Sequence, residues 1–254
     1  MQRLNNPEII LALDVSTLKE AEHFVDLLYP KIKLFKIGSQ LFTASGPDVV
    51  KMVGDKGGNV FLDLKFHDIP NTVYCSIGTG STISIVPHQV DVGEEIEDNI
   101  TFPVFMMTVH IKGGRPMLEA AVKGAIEKSN ELKIEKPFIV GVTRLTSEDD
   151  SSDKLTEVLQ AAQLAKDSGL DGVVCSVLEA AKVREVYGKD FIIVTPGIRQ
   201  GQVTDDQKRT ATVKQAVKAG SDFLVIGRPI IQSKNPLKTT EEILGDLSRF
   251  AGCH

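Results

Sequence analysis

Short apolar runs alternate with segments of helical periodicity along the whole 254-residue chain. Apolar runs of about four to eight residues that are bounded by turn residues are typical of buried strands. We predict eight strands, at residues 9–15, 34–38, 59–66, 105–110, 137–145, 172–177, 191–198 and 223–227. The segments between them predict helices at residues 17–28, 47–56, 116–128, 154–168, 178–187, 213–219 and 240–250.

Alternation of strands and helices predicts a parallel sheet with crossover helices packed on it. Eight βα units in a chain of this length match an α/β fold of the (β/α)8 TIM-barrel type, whereas a doubly wound sheet normally has fewer strands. No linker-like stretch divides the chain. The sequence therefore predicts a single TIM-barrel domain that spans residues 1–254.

One segment departs from this rhythm, between the third and fourth predicted strands. Residues 74–103 are rich in Gly, Ser, Thr and β-branched residues and then become acidic, without a sustained apolar period of 3.6 residues. We predict an atypical surface insertion or a loose hairpin here, in place of a crossover helix.

Polar side chains stand at the end of nearly every predicted strand. They are Asp14, Lys36, Asp63, Lys65, His110, Thr143, Ser176, Arg199 and Arg228. Each could simply mark the place where a strand becomes polar. Active sites of TIM barrels, however, lie at the carboxyl ends of the strands. The whole set therefore predicts an active site at that end of the barrel.

The stretch FLDLKFHDIPNT, residues 61–72, places an acid and a base inside a buried strand. Residues two apart in a strand share a face, so Asp63 and Lys65 are expected to point the same way, towards Lys36 of the neighbouring strand. Burying an ion pair costs roughly several kcal/mol per ion, and apolar residues would often stabilise the fold as well. We interpret the pair as a proton-donating site; a purely structural salt bridge is the alternative.

Two segments near the end of the chain indicate a phosphate site. In FLVIGRPI, Gly227 lets the backbone approach an anion and Arg228 adds a forked donor, although this arginine could also lie on a surface turn. The polar segment 195–213 includes Pro196 and Arg199 and is long for a tight turn. It is interpreted as a loop that closes over a ligand, with a plain flexible loop as the alternative. A phosphorylated substrate is predicted.

Other candidate residues have plainer interpretations. Asp68 could cap a helix, as could Asn71 and Thr72. We interpret His67 as a loop histidine, and His110 as a hydrogen-bonded core histidine because no second ligand lies at metal-binding spacing. Three cysteines, Cys75, Cys175 and Cys253, are widely spaced and are expected to be reduced thiols.

Composition narrows the range of functions. Hydrophobic residues make up 42% of the chain and charged residues 25%, which is ordinary for a globular protein. The net charge of −5 argues against a general nucleic-acid binder. No apolar stretch is long enough for a membrane span, and no signal-like run follows Met1. A cytosolic protein without nucleic-acid or membrane partners is predicted.

The motif D-x-K-x-x-D-I-P-N-T at residues 63–72 resembles the signature of the orotidine 5′-phosphate decarboxylase family. Further segments resemble the family in the same order along the chain: LALD with Asp14, FKIG with Lys36, VTRLTS with Thr146, VTPGIR with Arg199, DDQKR with Gln207 and VIGRP with Gly227 and Arg228. Segment 74–103 departs from the family, which has an ordinary helix there.

The resemblance implies a single-domain TIM-barrel enzyme of de novo pyrimidine biosynthesis. Such an enzyme converts orotidine 5′-monophosphate to uridine 5′-monophosphate and carbon dioxide without metal or cofactor. It implies Lys65 as the proton donor, with Asp63, Lys36 and Asp68 as further catalytic residues. It also implies a homodimer in which Asp68 and Thr72 reach the partner's site. The implied substrate-binding residues are Asp14, Lys36, Thr72, Thr146, Pro196, Arg199, Gln207, Gly227 and Arg228.

Three alternatives remain open at this point. A magnesium-dependent barrel acting on sugar phosphates through an enediolate shares D-x-K-x-x-D, but it needs an acid on strand 2, where this chain has Lys36. If segment 74–103 breaks the dimer, the chain could bind a nucleotide without turnover. A Schiff-base aldolase using Lys65 is disfavoured because Asp63 and Lys36 favour a fixed proton relay over a neutral amine.

Overall fold

The computed structural model describes residues 6–83, 103–144, 153–199 and 211–251. Within these ranges the strands are Glu8–Ala12 (β1), Leu34–Gly38 (β2), Asn59–Phe66 (β3), Val104–His110 (β4), Phe138–Val142 (β5), Gly172–Val174 (β6), Ile192–Thr195 (β7) and Phe223–Ile226 (β8). The α-helices in the same ranges are Leu18–Leu28 (α1), Ser39–Ser45 (α2), Asp48–Asp55 (α3), Pro70–Ser81 (α4), Gly114–Leu132 (α5), Lys154–Asp167 (α6), Val177–Tyr187 (α7), Val213–Lys218 (α8), Arg228–Ile231 (α9) and Pro236–Ala251 (α10).

The strands form a closed parallel barrel in chain order, because each strand pairs with the next and β8 pairs with β1. The predicted (β/α)8 TIM barrel is therefore confirmed. β2 and β3 begin and end where they were predicted, and each predicted helix is present with small shifts at its ends. The short helices α2 and α9 were not predicted.

The prediction for the segment after β3 was wrong over its first part. Residues up to Ser81 continue the helix α4, in which Val73 and Ile77 are buried. Pro70 occupies the first turn, where a missing backbone N–H has no intrahelical partner to lose. The remainder of the predicted insertion, residues 84–102, lies outside the described residues.

Apolar side chains fill the barrel interior below its carboxyl end. This interior cluster consists of Ile10, Ala12, Leu34, Phe61, Phe105, Met106, Val140, Val194, Phe223 and Val225. A second, larger cluster fills the layer between the outer face of the strands and the helices. Inward-pointing residues of a TIM barrel stack in layers, so the next inward positions along the strands lie at the open end. That is where the polar side chains of the site stand.

Helices α4 and α5 approach each other closely at Gly124. A Cβ added at Gly124 would lie 2.4 Å from the backbone carbonyl oxygen of Tyr74 on α4, which cannot move away as a flexible side chain could. We expect Gly124→Ala to lower the free energy of unfolding by about 1–3 kcal/mol, the usual cost of overpacking. Urea unfolding followed by circular dichroism measures the change.

A matched control for this substitution is Gly245→Ala. Gly245 lies inside α10 with open space around its added Cβ, so alanine should stabilise that helix by up to about 1 kcal/mol. Equal effects of the two substitutions would contradict the close approach of α4 and α5.

Two of the three cysteines lie in the part of the chain that the structure describes. Cys75 and Cys175 are free thiols, and burial raises the pKa of the Cys175 thiol well above its ordinary value. Cys253 lies outside the described residues. Among the helices that the structure describes, none has the length and apolar character needed to span a bilayer.

Candidate active site

A cavity of about 220 Å³ opens at the carboxyl end of the barrel. Every strand except β4 contributes a residue to its lining or is followed directly by one. The lining residues are Ala12, Asp14, Lys36, Phe61, Asp63, Lys65, Val142, Arg144, Val174, Val194, Pro196, Gly197, Ile198, Arg199, Val225, Gly227, Arg228 and Pro229. The floor is therefore apolar and the rim is charged.

Four charged side chains form a chain of alternating sign along one side of this cavity. Lys65 Nζ donates to Asp63 Oδ2 at 2.8 Å. The same oxygen lies 3.6 Å from Lys36 Nζ, which donates to Asp14 Oδ1 at 3.1 Å. The predicted convergence of Asp63, Lys65 and Lys36 is confirmed, and Asp14 joins them.

Burial differs along this chain of charges. The side chains of Lys36 and Asp63 are each 12% exposed, whereas that of Lys65 is 38% exposed. Coulomb attraction is stronger away from bulk water, so Lys36 and Asp63 form the fixed centre of the network. Lys65 projects from this centre towards the open part of the cavity.

The strand that carries Asp63 and Lys65 is not regular. Leu62 pairs with Met107 and Phe66 pairs with Val109, so residues 63–65 of β3 face the single residue Thr108 of β4. Lys65 has a φ of 51°, a left-handed conformation that is rare for residues other than glycine. Regular alternation along the strand predicted correctly that the side chains of Asp63 and Lys65 meet. In the structure, however, a bulge in β3 brings them together.

Two glycines leave room for the network. A Cβ at Gly38 would lie 3.3 Å from Lys36 Nζ, and one at Gly227 would lie 3.2 Å from Asp14 Oδ2. Both distances are shorter than ordinary carbon contacts. Glycine in FKIG and in VIGRP therefore keeps the backbone close to the charged side chains.

The described residues predicted to bind phosphate all lie at the cavity. Pro196, Arg199, Gly227 and Arg228 all line it, and Arg199 is only 8% exposed. The backbone N–H of Arg199 donates to the carbonyl of Ala211 at 2.8 Å, which ties the two ends of segment 200–210 together. Gln207 within that segment, and Thr146 within 145–152, lie outside the described residues.

Asp68 and Thr72 do not line the cavity of their own chain. Both are exposed, at the start of α4. Asp68 Oδ1 accepts a hydrogen bond from the N–H of Ile69 at 2.6 Å. The cap position of α4 is Ile69, without a capping side chain, so the helix-cap interpretation of Asp68, Asn71 and Thr72 was wrong.

Three other polar residues at strand ends have structural roles. Thr143 Oγ1 donates to the carbonyl of Val174 at 2.8 Å, and Ser176 caps α7. His110 is buried, and its Nδ1 accepts from the N–H of Lys112 at 3.3 Å. The interpretation of His110 as a hydrogen-bonded core residue is therefore confirmed. Its ring stacks on that of the exposed His67.

Sequence reasoning missed two residues of the site. Thr108 Oγ1 contacts Asp63 and the backbone of Lys65. Arg144 lines the cavity, and its Nη1 is 2.6 Å from Glu157 Oε2 on α6. Arg144 follows Val142 by two residues, the spacing of Asp63 and Lys65, and this periodicity could have indicated it.

The chain is similar over most of its length to a known family of enzymes. The model of the orotidine 5′-phosphate decarboxylase / HUMPS family matches residues 7–243. The chain belongs to this family of enzymes. All candidate site residues from Asp14 to Arg228 lie inside the span that matches the orotidine 5′-phosphate decarboxylase / HUMPS model.

Individual members of the orotidine 5′-phosphate decarboxylase / HUMPS family match over nearly their whole length. An orotidine 5′-phosphate decarboxylase from Coxiella burnetii is 43% identical over 251 residues, covering 95% of this chain and 97% of the relative. One from Vibrio cholerae is 41% identical over 253 residues, covering 96% of this chain and 100% of the relative. The crystal structure of the enzyme from Lactobacillus acidophilus superposes with a TM-score of 0.76 at 33% identity, covering 95% and 99% of the two chains.

Proposed function

We propose that this chain decarboxylates orotidine 5′-monophosphate to uridine 5′-monophosphate and carbon dioxide in de novo pyrimidine biosynthesis. The observation that carries the proposal is the hydrogen bond of 2.8 Å between Lys65 Nζ and Asp63 Oδ2 at the rim of the cavity. An ammonium held by a carboxylate is a fixed acid, ready to donate a proton. Curated relatives that are more than 40% identical are named for this reaction.

Lys65 is the proton donor of the proposed reaction. When the bond between C6 of the pyrimidine and its carboxyl carbon breaks, carbon dioxide leaves and the electron pair stays on C6. The ammonium of Lys65 stabilises that charge as it forms and transfers a proton to C6, which completes uridine 5′-monophosphate. Asp63 lies against the departing carboxylate, and Lys36 holds Asp63 in place from the other side.

The remaining residues bind the nucleotide. We assign the ribose hydroxyls to Asp14 and Lys36, which are hydrogen-bonded to each other at 3.1 Å. Thr146 is assigned to the pyrimidine edge, and Gln207 is assigned to a bridge between base and phosphate. We assign the phosphate to Arg199, Gly227 and Arg228, and Pro196 is a further substrate-binding residue; all four line the cavity. Binding energy from a phosphate remote from C6 helps to organise the reacting groups.

The reaction needs no metal ion in this proposal. In the magnesium-dependent alternative, an acid on strand 2 would complete a metal site, but here Lys36 Nζ lies 3.1 Å from Asp14 and 3.6 Å from Asp63. A second cation among these carboxylates would be repelled by the ammonium at close range.

The experiment that tests the function follows the absorbance of orotidine 5′-monophosphate with and without a chelator. We expect the same rate of decrease in both, since the proton donor is a side chain. Activity that disappears with chelator and returns with Mg²⁺ would favour the magnesium-dependent barrel. Binding without turnover would contradict the proposed reaction.

The proposal extends to a cytosolic homodimer. Asp68 and Thr72 are exposed at the start of α4 and do not line the cavity of their own chain. In the proposed assembly both residues complete the cavity of the partner subunit, where Asp68 extends the line of charges beyond Lys65. The cytosolic location predicted from the composition stays a prediction.

A further inference from the structure

Thr108 is a buried hydroxyl in an otherwise apolar stretch of β4. Its exposure is 0%, and residues 104–107 and 109 of the same strand are Val, Phe, Met, Met and Val. Moving a hydroxyl out of water without a hydrogen-bond partner destabilises the folded state. Valine would fill nearly the same volume without that cost. The hydroxyl therefore requires partners, and its partners show what it does.

Both partners of the Thr108 hydroxyl belong to the proposed proton-donating pair. Thr108 Oγ1 accepts from the backbone N–H of Lys65 at 2.8 Å and donates to Asp63 Oδ1 at 3.1 Å. A hydroxyl has one hydrogen to donate and lone pairs to accept, so one side chain can satisfy both contacts at once. The second oxygen of Asp63 then receives the ammonium of Lys65.

These contacts form a closed ring. It runs from Thr108 to the Asp63 carboxylate, on to the ammonium of Lys65, and back through the Lys65 backbone to Thr108. The ring spans the bulge of β3, where residues 63–65 face Thr108 alone. A left-handed backbone such as that of Lys65, with φ of 51°, is strained and persists only where the surroundings hold it.

We propose that Thr108 is a positioning residue for the proton donor. By accepting from the Lys65 backbone it holds the bulge in its left-handed conformation. By donating to Asp63 it fixes the carboxylate that orients the Lys65 ammonium. Thr108 does not line the cavity, so it acts through Asp63 and Lys65 and not on the substrate. This inference rests on the proposed function, which makes Lys65 the proton donor.

The test compares three variants in the turnover assay. Thr108→Val keeps the shape and removes the hydroxyl, and we expect kcat to fall about 10²-fold, as a small misplacement of a reacting group does, with KM nearly unchanged. Thr108→Ser keeps the hydroxyl and should restore kcat close to the parent value. Thr240→Val is the control, because Thr240 is also 0% exposed, lies on α10, and its hydroxyl has no partner among the described residues.

Several results would overturn the inference. One is a folded Thr108→Val variant whose kcat equals that of the parent. Another is a Thr108→Ser variant whose kcat falls as far as that of Thr108→Val. If Thr108→Val does not fold, Thr108→Cys replaces it, since a thiol is close in size but forms weak hydrogen bonds, and the same loss of kcat is expected. Failure of the proposed function looks different, because the parent chain itself would then not consume orotidine 5′-monophosphate.

Discussion

Replacing Lys65 by alanine is expected to lower kcat for orotidine 5′-monophosphate by at least about 10³-fold. The variant loses the only ammonium that we assign to C6, and with it both the proton and the positive charge that stabilises the electron pair left on that carbon. It also leaves Asp63 without the donor that lies 2.8 Å away. Water can reprotonate the carbon eventually, but it cannot supply a fixed positive charge.

The Lys65→Ala measurement needs a control for charge and one for binding. Lys51→Ala removes an exposed lysine whose Nζ lies 3.9 Å from Asp48, a weak surface pair, and should leave kcat unchanged. Affinity for uridine 5′-monophosphate should change far less than kcat in Lys65→Ala, because the residues assigned to the phosphate are intact. A Lys65→Ala variant that releases carbon dioxide at the parent rate would refute the assignment of the proton donor.

The barrel could be predicted from the sequence because parallel strands that are buried on both faces consist of nearly continuous apolar residues. For β2 and β3, the first and last residues of the apolar runs are also those of the observed strands. The helix α4 could not be predicted in the same way, since Cys75–Ser81 contains Gly78 and Gly80 and residues of low helix propensity. Tertiary packing decides it: Val73 and Ile77 are buried, and Gly78 and Gly124 allow α5 to lie close.

The candidate site could be predicted only where its residues differ from their surroundings. Asp63 and Lys65 stand out as charges in an apolar run, and Lys36 does so in β2. Thr108 does not, because threonine is common in strands, and its partners become visible only when the bulge of β3 is known. Arg144 lies inside the predicted strand 137–145, but Thr143 was taken as the polar residue at the end of that strand.

Mixing Lys65→Ala subunits with Asp68→Ala subunits is expected to restore activity that neither variant has alone. If Asp68 serves the partner's site, a mixed dimer combines the intact Lys65 of one subunit with the intact Asp68 of the other in one of its two sites. Random exchange of equal amounts makes half of the dimers mixed, so about one quarter of the parent activity should return. If Asp68 instead serves its own subunit's site, both sites of the mixed dimer stay defective.

A second mixture makes this test specific for contacts across subunits. Asp63 and Lys65 are hydrogen-bonded within one chain at 2.8 Å, so a mixture of Asp63→Ala with Lys65→Ala subunits leaves every site with one defect and should stay inactive. Subunit exchange is verified by native mass spectrometry of differently tagged chains. Recovery in both mixtures would point to contamination or partial activity. If exchange is confirmed and the mixture of Lys65→Ala with Asp68→Ala subunits recovers no activity, Asp68 does not serve the partner's site. The exposed start of α4 would then complete no neighbouring cavity.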